Sequence, residues 1–268
     1  MDMVESFKTI ARLDANPRYA GSTHDDATAR AMGFRAALIP GAFLYGHVTR
    51  LAVRAWGMDW LGRGQAEVRF RRPVHDGDKL VVGRSGWREV DGGVRAEAAI
   101  RHADTGEILV LGHIALPDMP LEPPTDLDVI PLPDPIPAAT SEQIVTGKRL
   151  GTRSRVLSLA EIRQSLADFG EREPIYQEGA LAHSGCLVRQ TMGDSLSNFR
   201  FPEPVVFVSV QVQNYAPLHA GARICSATEI RSVYSRKGRL YFDSEEYLIA
   251  DGLPVARHLR VNLYGSAE

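Results

Sequence analysis

The sequence predicts an α+β protein built twice over, each half a single long helix wrapped by an antiparallel sheet. Three observations predict it. A proline-rich segment divides the chain, the two flanks share residues at a fixed separation, and each flank reads as one helix followed by alternating strands. The divider runs from Pro117 to Pro137, PDMPLEPPTDLDVIPLPDPIP, and holds 8 of the 16 prolines. So many missing backbone donors leave neither a helix nor a sheet ladder possible, so the segment should run as a stiff, extended connector. Residues 1–116 and 141–268 then form the two halves, with 117–140 as the link.

The flanks match as Pro73-Val-His-Asp-Gly-Asp-Lys-Leu against Pro217-Leu-His-Ala-Gly-Ala-Arg-Ile, 144 residues apart, and Gly41 precedes Gly185 by the same 144. Helix start and strand start are therefore read as being in register without a gap. His113 and His258, 145 apart, extend the match into the last strands. A tandem duplication is the simplest origin.

The elements follow from local patterns. In AALIPGAFLYGH, Pro40 suits a first helical position, and Leu44, Val48, Leu51, Ala52 and Ala55 recur at helical spacing, giving a buried helix of about four turns. AEVRFRR then alternates, with Ala66, Val68 and Phe70 on one face and Arg69 and Arg71 on the other. Strands near 79–90, 94–103 and 107–116 follow, separated by Gly or Asp-Gly turns. The second half repeats the plan with a helix over 184–195, the alternating run VVFVSVQVQN, and strands near 222–234, 239–250 and 255–264.

Composition excludes several classes. With 31 basic against 33 acidic residues, the net charge of −2 offers no pull towards nucleic acid. The two cysteines, Cys186 and Cys225, lie in no CxxC or His/Cys spacing, so no metal is expected and both read as free thiols of a reducing cytoplasm. The N-terminus has no apolar signal region, and no run approaches the roughly 18 apolar residues of a membrane span. No Gly-rich phosphate loop or G-x-S-x-G motif occurs, and no cofactor is expected.

HDDATARAMGFRAALIPG and FRRPVHDGDKLVV together make nearly the whole chain resemble the MaoC-like hydratases, the group that contains R-specific enoyl-CoA hydratases. The resemblance implies a tandem double hotdog whose two sheets join edge to edge and mimic the family's homodimer. It also implies hydration or dehydration of an enoyl or 3-hydroxyacyl thioester, with CoA as the expected carrier, by a monomer or homo-oligomer of such subunits. In that family the dyad lies in Gly-Asp-x-Asn-Pro-Leu/Ile-His. Here GEREPIY keeps Gly170, Pro174 and Ile175 but places Glu171 at the Asp position and Tyr176 at the His position. In YAGSTHDD, His24 fits the His position when one residue is deleted before Gly33, and Tyr19 then takes the Asp position.

Hydration needs a base for water, an acid for the α-carbon and donors for the enolate oxygen. Helix starts supply such donors, and Gly41 and Gly185 would let a thioester carbonyl come close; a tight bend without a ligand is the alternative. Glu171 is the candidate base, on the expectation that burial raises its pKa. His24 titrates near the required range, with Asp25 beside it as a substrate contact or a plain helix cap. Tyr176 can donate to water or a carbonyl, and His183 immediately precedes the second helix. Tyr45 and His47 lie farther into the first helix, where packing is the alternative. Arg69 and Arg71 would meet the polar end of a substrate entering between the halves, or else form a solvated basic face. His75 and His219 read as structural. A thioesterase using Glu171, and a non-catalytic acyl-thioester binder with altered dyads, are the other readings.

Overall fold

The computed structural model describes residues 2–14, 16–177 and 180–266. The first half contains β1 (Glu5–Ile10), α1 (Asp26–Ala31), α2 (Gly41–Trp56), α3 (Met58–Arg63), β2 (Gln65–Phe70), β3 (Lys79–Arg84), β4 (Arg88–Val90), β5 (Gly93–His102) and β6 (Ile108–Pro117). The second contains β7 (Arg149–Leu150), β8 (Arg155–Val156), α4 (Leu159–Asp168), α5 (Pro174–Gln177), α6 (Ser184–Leu196), β9 (Val206–Asn214), β10 (Arg223–Arg236), β11 (Arg239–Ala250) and β12 (Leu253–Ser266). The long helices and the strands thus form where the 3.6- and 2-residue periods placed them.

All twelve strands belong to one antiparallel sheet in the order β1-β3-β5-β6-β2-β9-β12-β11-β10-β7, with β4 on β5 and β8 on β10. The seam between the halves is β2 against β9, from Gln65 opposite Gln213 to Arg69 opposite Ser209. Edge-to-edge joining is therefore what the fold does. Ala66 and Val68 are buried beneath α2 while Arg69 points outward, as the alternation of AEVRFRR requires. Between Pro117 and Arg149 the chain forms no helix or strand and runs along the second half, where Pro131 bridges Thr152 and Ala138 bridges Arg200. No helix among the described residues is long and apolar enough to cross a membrane.

Two details of the repeat differ from the expected register. The long helices begin at Gly41 and Ser184, and the bridge of Leu38 with His75 is matched by that of Leu181 with His219. The helix starts are thus 143 residues apart and the strand starts 144, so one residue is gained between them. Pro40 is accordingly the N-cap of α2 rather than its first residue, and its counterpart as the N-cap of α6 is His183.

The second difference concerns His113 and His258, which are not equivalent. His113 lies opposite Glu67 and Glu97 on the outer face, whereas His258 lies opposite Glu246 on the inner face and is fully buried. The true counterpart of His258 is Ile114, which faces Ala96 as His258 faces Glu246. An offset of one in a strand puts a side chain on the wrong face.

That correction exposes a contrast between the halves. Beneath α2 the matching positions are Ala96, Ile114 and Leu116, all buried and apolar. Beneath α6 they are Glu246, His258 and Arg260. Arg260 donates through Nε to Glu246 at 3.0 Å and also bonds Ser195 and Asn262, while His258 Nδ1 meets Thr191 Oγ at 2.9 Å. Burial, assisted by Arg260, holds the His258 pKa down at about 4 against the pull of Glu246, so its imidazole is neutral.

Candidate functional site

The second half builds its site at the start of α6. Ser158 and Glu161 close a capping box on α4, and Gly170, with φ of 57°, turns the chain so that Glu171 points inward. The residue is 5% exposed and its side chain not at all. It accepts from the backbone N–H of Arg172 at 2.7 Å and of Glu173 at 2.8 Å, from Arg50 Nε at 3.2 Å and from His183 Nε2 at 3.0 Å. Arg50 comes from α2 and also donates to Gly170 O at 2.8 Å, while Arg54, one turn on, pairs with Glu173 at 2.7 Å. The second half's loop is thereby pinned to the first half's helix.

Burial does push the Glu171 pKa up, as expected from sequence. The hydrogen bond from His183, then Arg50 and the backbone donor, outweigh it and hold the group at about 2. Glu171 is a fixed anion, which corrects the expectation of a carboxyl poised near neutrality. His183 Nδ1 accepts from Gly185 N–H at 3.1 Å, so its proton sits on Nε2, the atom that donates to Glu171. The ring is clamped further by Phe169, stacked at 4.6 Å.

Around this pair lie three buried hydroxyls, those of Tyr45, Tyr176 and Ser184, that make no hydrogen bond among the described residues. Ser184 Oγ lies beside the Tyr176 hydroxyl without the alignment of a hydrogen bond, and Tyr176 is near enough to Tyr45 to oppose ionisation of its phenol. Burial raises both tyrosines, so both remain protonated donors. His47, on the same helix as Tyr45, is neutral too, since burial followed by Arg50 and His183 lowers it to about 3. Beside the cluster opens a cleft of about 430 Å³ lined by Arg163, Gly170, Glu171, Arg172, Tyr176 and Gln177.

The two helix starts touch. A Cβ placed on Gly185 would lie 2.6 Å from the Phe169 ring and 2.7 Å from Ala42 O on α2. The room at Gly185 is therefore filled by the protein itself, and its N–H is already taken by His183. Gly185→Ala is expected to cost about 2–3 kcal/mol through overpacking against backbone, read as a lower midpoint in urea unfolding. At α2 no side chain caps the helix, and the first N–H with a backbone acceptor is that of Phe43, to Pro40 O. The start of α2 at Gly41 thus keeps open donors that the start of α6 does not.

The remaining candidates are placed elsewhere. His24 Nδ1 donates to Leu38 O at 2.7 Å and its ring meets Tyr19 edge-on at 5.6 Å. Burial, then Arg18, lowers its pKa against the Leu38 bond. None of its described contacts is with Glu171 or His183; it is Arg18 that crosses to the second half, pairing with Asp168 at 2.6 Å. Asp25 caps α1 by accepting from Thr28 N–H at 2.9 Å and Thr28 Oγ at 2.8 Å. Arg69 is exposed and pairs with Glu67, and Arg71 lines a surface cleft with Arg72 and Glu107. Sequence reasoning missed Arg50, although a charged residue beside Val48 and Leu51 in an apolar stripe was a visible signal.

No family model matches the chain, and no curated protein matches it either. Solved structures do. A MaoC domain protein assigned as a dehydratase from Chloroflexus aurantiacus J-10-fl superposes with a TM-score of 0.64 at 14% identity, covering 94% of this chain and 90% of its own. An assigned thioesterase from Novosphingobium aromaticivorans DSM 12444 gives 0.58 at 13%, covering 97% and 95%. A conserved protein of Mycobacterium tuberculosis, described as having a double hotdog fold, gives 0.55 at 15%, covering 98% and 96%. With two wrapped helices under one continuous sheet, the chain is a double hotdog protein of MaoC-like architecture, a fold that dehydratases and thioesterases share.

Proposed function

We propose that the protein adds water to an enoyl thioester, or removes it from the 3-hydroxyacyl thioester, with His183 as the acid/base group and Glu171 as its fixed counter-ion. The observation that carries this reading is the buried Glu171–His183 pair, 3.0 Å apart at a helix start. A carboxylate on one ring nitrogen fixes the tautomer and puts the lone pair on the other, where it accepts from Gly185 N–H and becomes a general base when a substrate water takes that position. The imidazole absent from position 176 is thus supplied from position 183.

In hydration, water replaces the Gly185 N–H at His183 Nδ1 and gives up a proton there as the hydroxyl oxygen bonds the β-carbon. The electron pair of the double bond moves onto the thioester oxygen, which the open N–H groups at the start of α2 stabilise. His183 then returns the proton to the α-carbon. Glu171 stays ionised throughout and offsets the charge on the imidazolium. The unpaired hydroxyls of Tyr45, Tyr176 and Ser184 offer partners to the water before it reacts.

A thioesterase would need a Glu171 oxygen free to activate water, yet both oxygens are occupied by four donors. The test is loss of the conjugated thioester absorbance with crotonyl-CoA and longer or aromatic enoyl-CoA esters, with products identified by mass. Hydration should appear, and His183→Ala should reduce it about 100-fold or more. Release of free CoA would favour thioesterase chemistry, and binding without turnover would favour an acyl-thioester binding protein.

A further inference from the structure

The start of α2 is not bare. A Cβ on Gly41 would meet Phe207 Cδ1 at 2.7 Å and Phe70 Cζ at 3.2 Å. Phe70 ends β2 and Phe207 lies on β9, so each half contributes one ring to a pair whose centroids are 4.8 Å apart and tilted by 57°. Both rings are half-buried, facing the helix start on one side and solvent on the other. Behind Phe207 the interior turns polar. The Arg260 guanidinium lies 5.8 Å from its ring centroid and is held there by Glu246, Ser195 and Asn262.

The geometry points to Phe70 and Phe207 as the residues that set acyl-chain length, restricting the site to short acyl groups. This rests on the thioester reading above, in which the carbonyl oxygen sits at the open N–H groups of α2. An acyl chain attached to that carbonyl meets an aromatic wall within a methyl group's reach, and a wall of two tilted rings yields little. Past the wall, a long alkyl chain would have to part a buried, hydrogen-bonded charge network rather than enter apolar packing.

The test is equilibrium binding of butyryl- and octanoyl-dethia-CoA, whose saturated acyl chains cannot be hydrated and whose methylene in place of the thioester sulfur prevents hydrolysis. The wild type should bind the butyryl ligand at least about 10-fold more tightly, since a single misfit methylene is worth about 10-fold or more in a closed pocket. Phe207→Ala should reduce that ratio about 10-fold or invert it. Phe207→Leu and Phe70→Leu, milder in volume, should move it in the same direction if the alanine variant does not fold. Equal wild-type affinities, or a ratio unchanged in the folded variants, would overturn the assignment while leaving the hydratase reading in place. Binding of neither ligand by the wild type would overturn both.

Discussion

Replacing Glu171 by glutamine is expected to lower kcat on an enoyl-CoA by about 100-fold or more, about 3 kcal/mol at the transition state, with KM changed much less. The amide can accept through one oxygen only, and its NH2 group must face His183 Nε2–H, Arg50 Nε or the N–H groups of Arg172 and Glu173, which are all donors. Either the imidazole changes tautomer or it loses its anchor, and in both cases the base is lost.

A second signature of the same substitution separates it from general damage. The carboxyl is held at about 2 instead of 4.5, so its ionised form contributes about 3 kcal/mol of stability above pH 4.5. A depressed pKa makes that contribution fade as pH falls from about 4.5 towards 2. The difference in unfolding free energy between wild type and Glu171→Gln should therefore shrink across that window. A constant difference at every pH would contradict the fixed-anion assignment.

Arg260→Leu is expected to destabilise the protein by about 3–5 kcal/mol, because it strands the Glu246 carboxylate at zero exposure without its partner. The chain supplies its own control. The equivalent positions of the first half are Leu116 and Ala96, so Arg260→Leu combined with Glu246→Ala copies a packing already present beneath α2. The double variant should lose clearly less stability than the single one, giving a coupling energy of about 2 kcal/mol or more in a urea-unfolding cycle. Additive losses would mean that the pair is not energetically linked.

The fold was legible because it rests on periodicity. The stripe of Leu44, Val48 and Leu51 and the alternation of Ala66 and Val68 are local signals, and each element formed within a few residues of its expected place. What failed was register at the scale of one residue. Aligning Gly41 with Gly185 hid the equivalence of Pro40 and His183, and aligning His113 with His258 put a buried histidine on the outer face.

The site was legible only in part. Glu171, Tyr176, His183 and Tyr45 do converge, as the motif and helix start suggested. The direction of the Glu171 shift was not, because it depends first on the bond from His183 and then on Arg50, 121 residues away and brought close only by the packing of the second half's loop on α2. Phe70 and Phe207 likewise meet only across the seam.

The seam itself carries a last consequence. Where two identical subunits pair through such a sheet, dilution separates them, and any change to one is made to both. Here β2 and β9 belong to one chain, so their pairing is a unimolecular event whose extent does not depend on protein concentration. One copy of the helix start was then free to bring its own imidazole and close itself off, while the other stayed open under two phenylalanines. Covalent continuity let the two copies stop being the same.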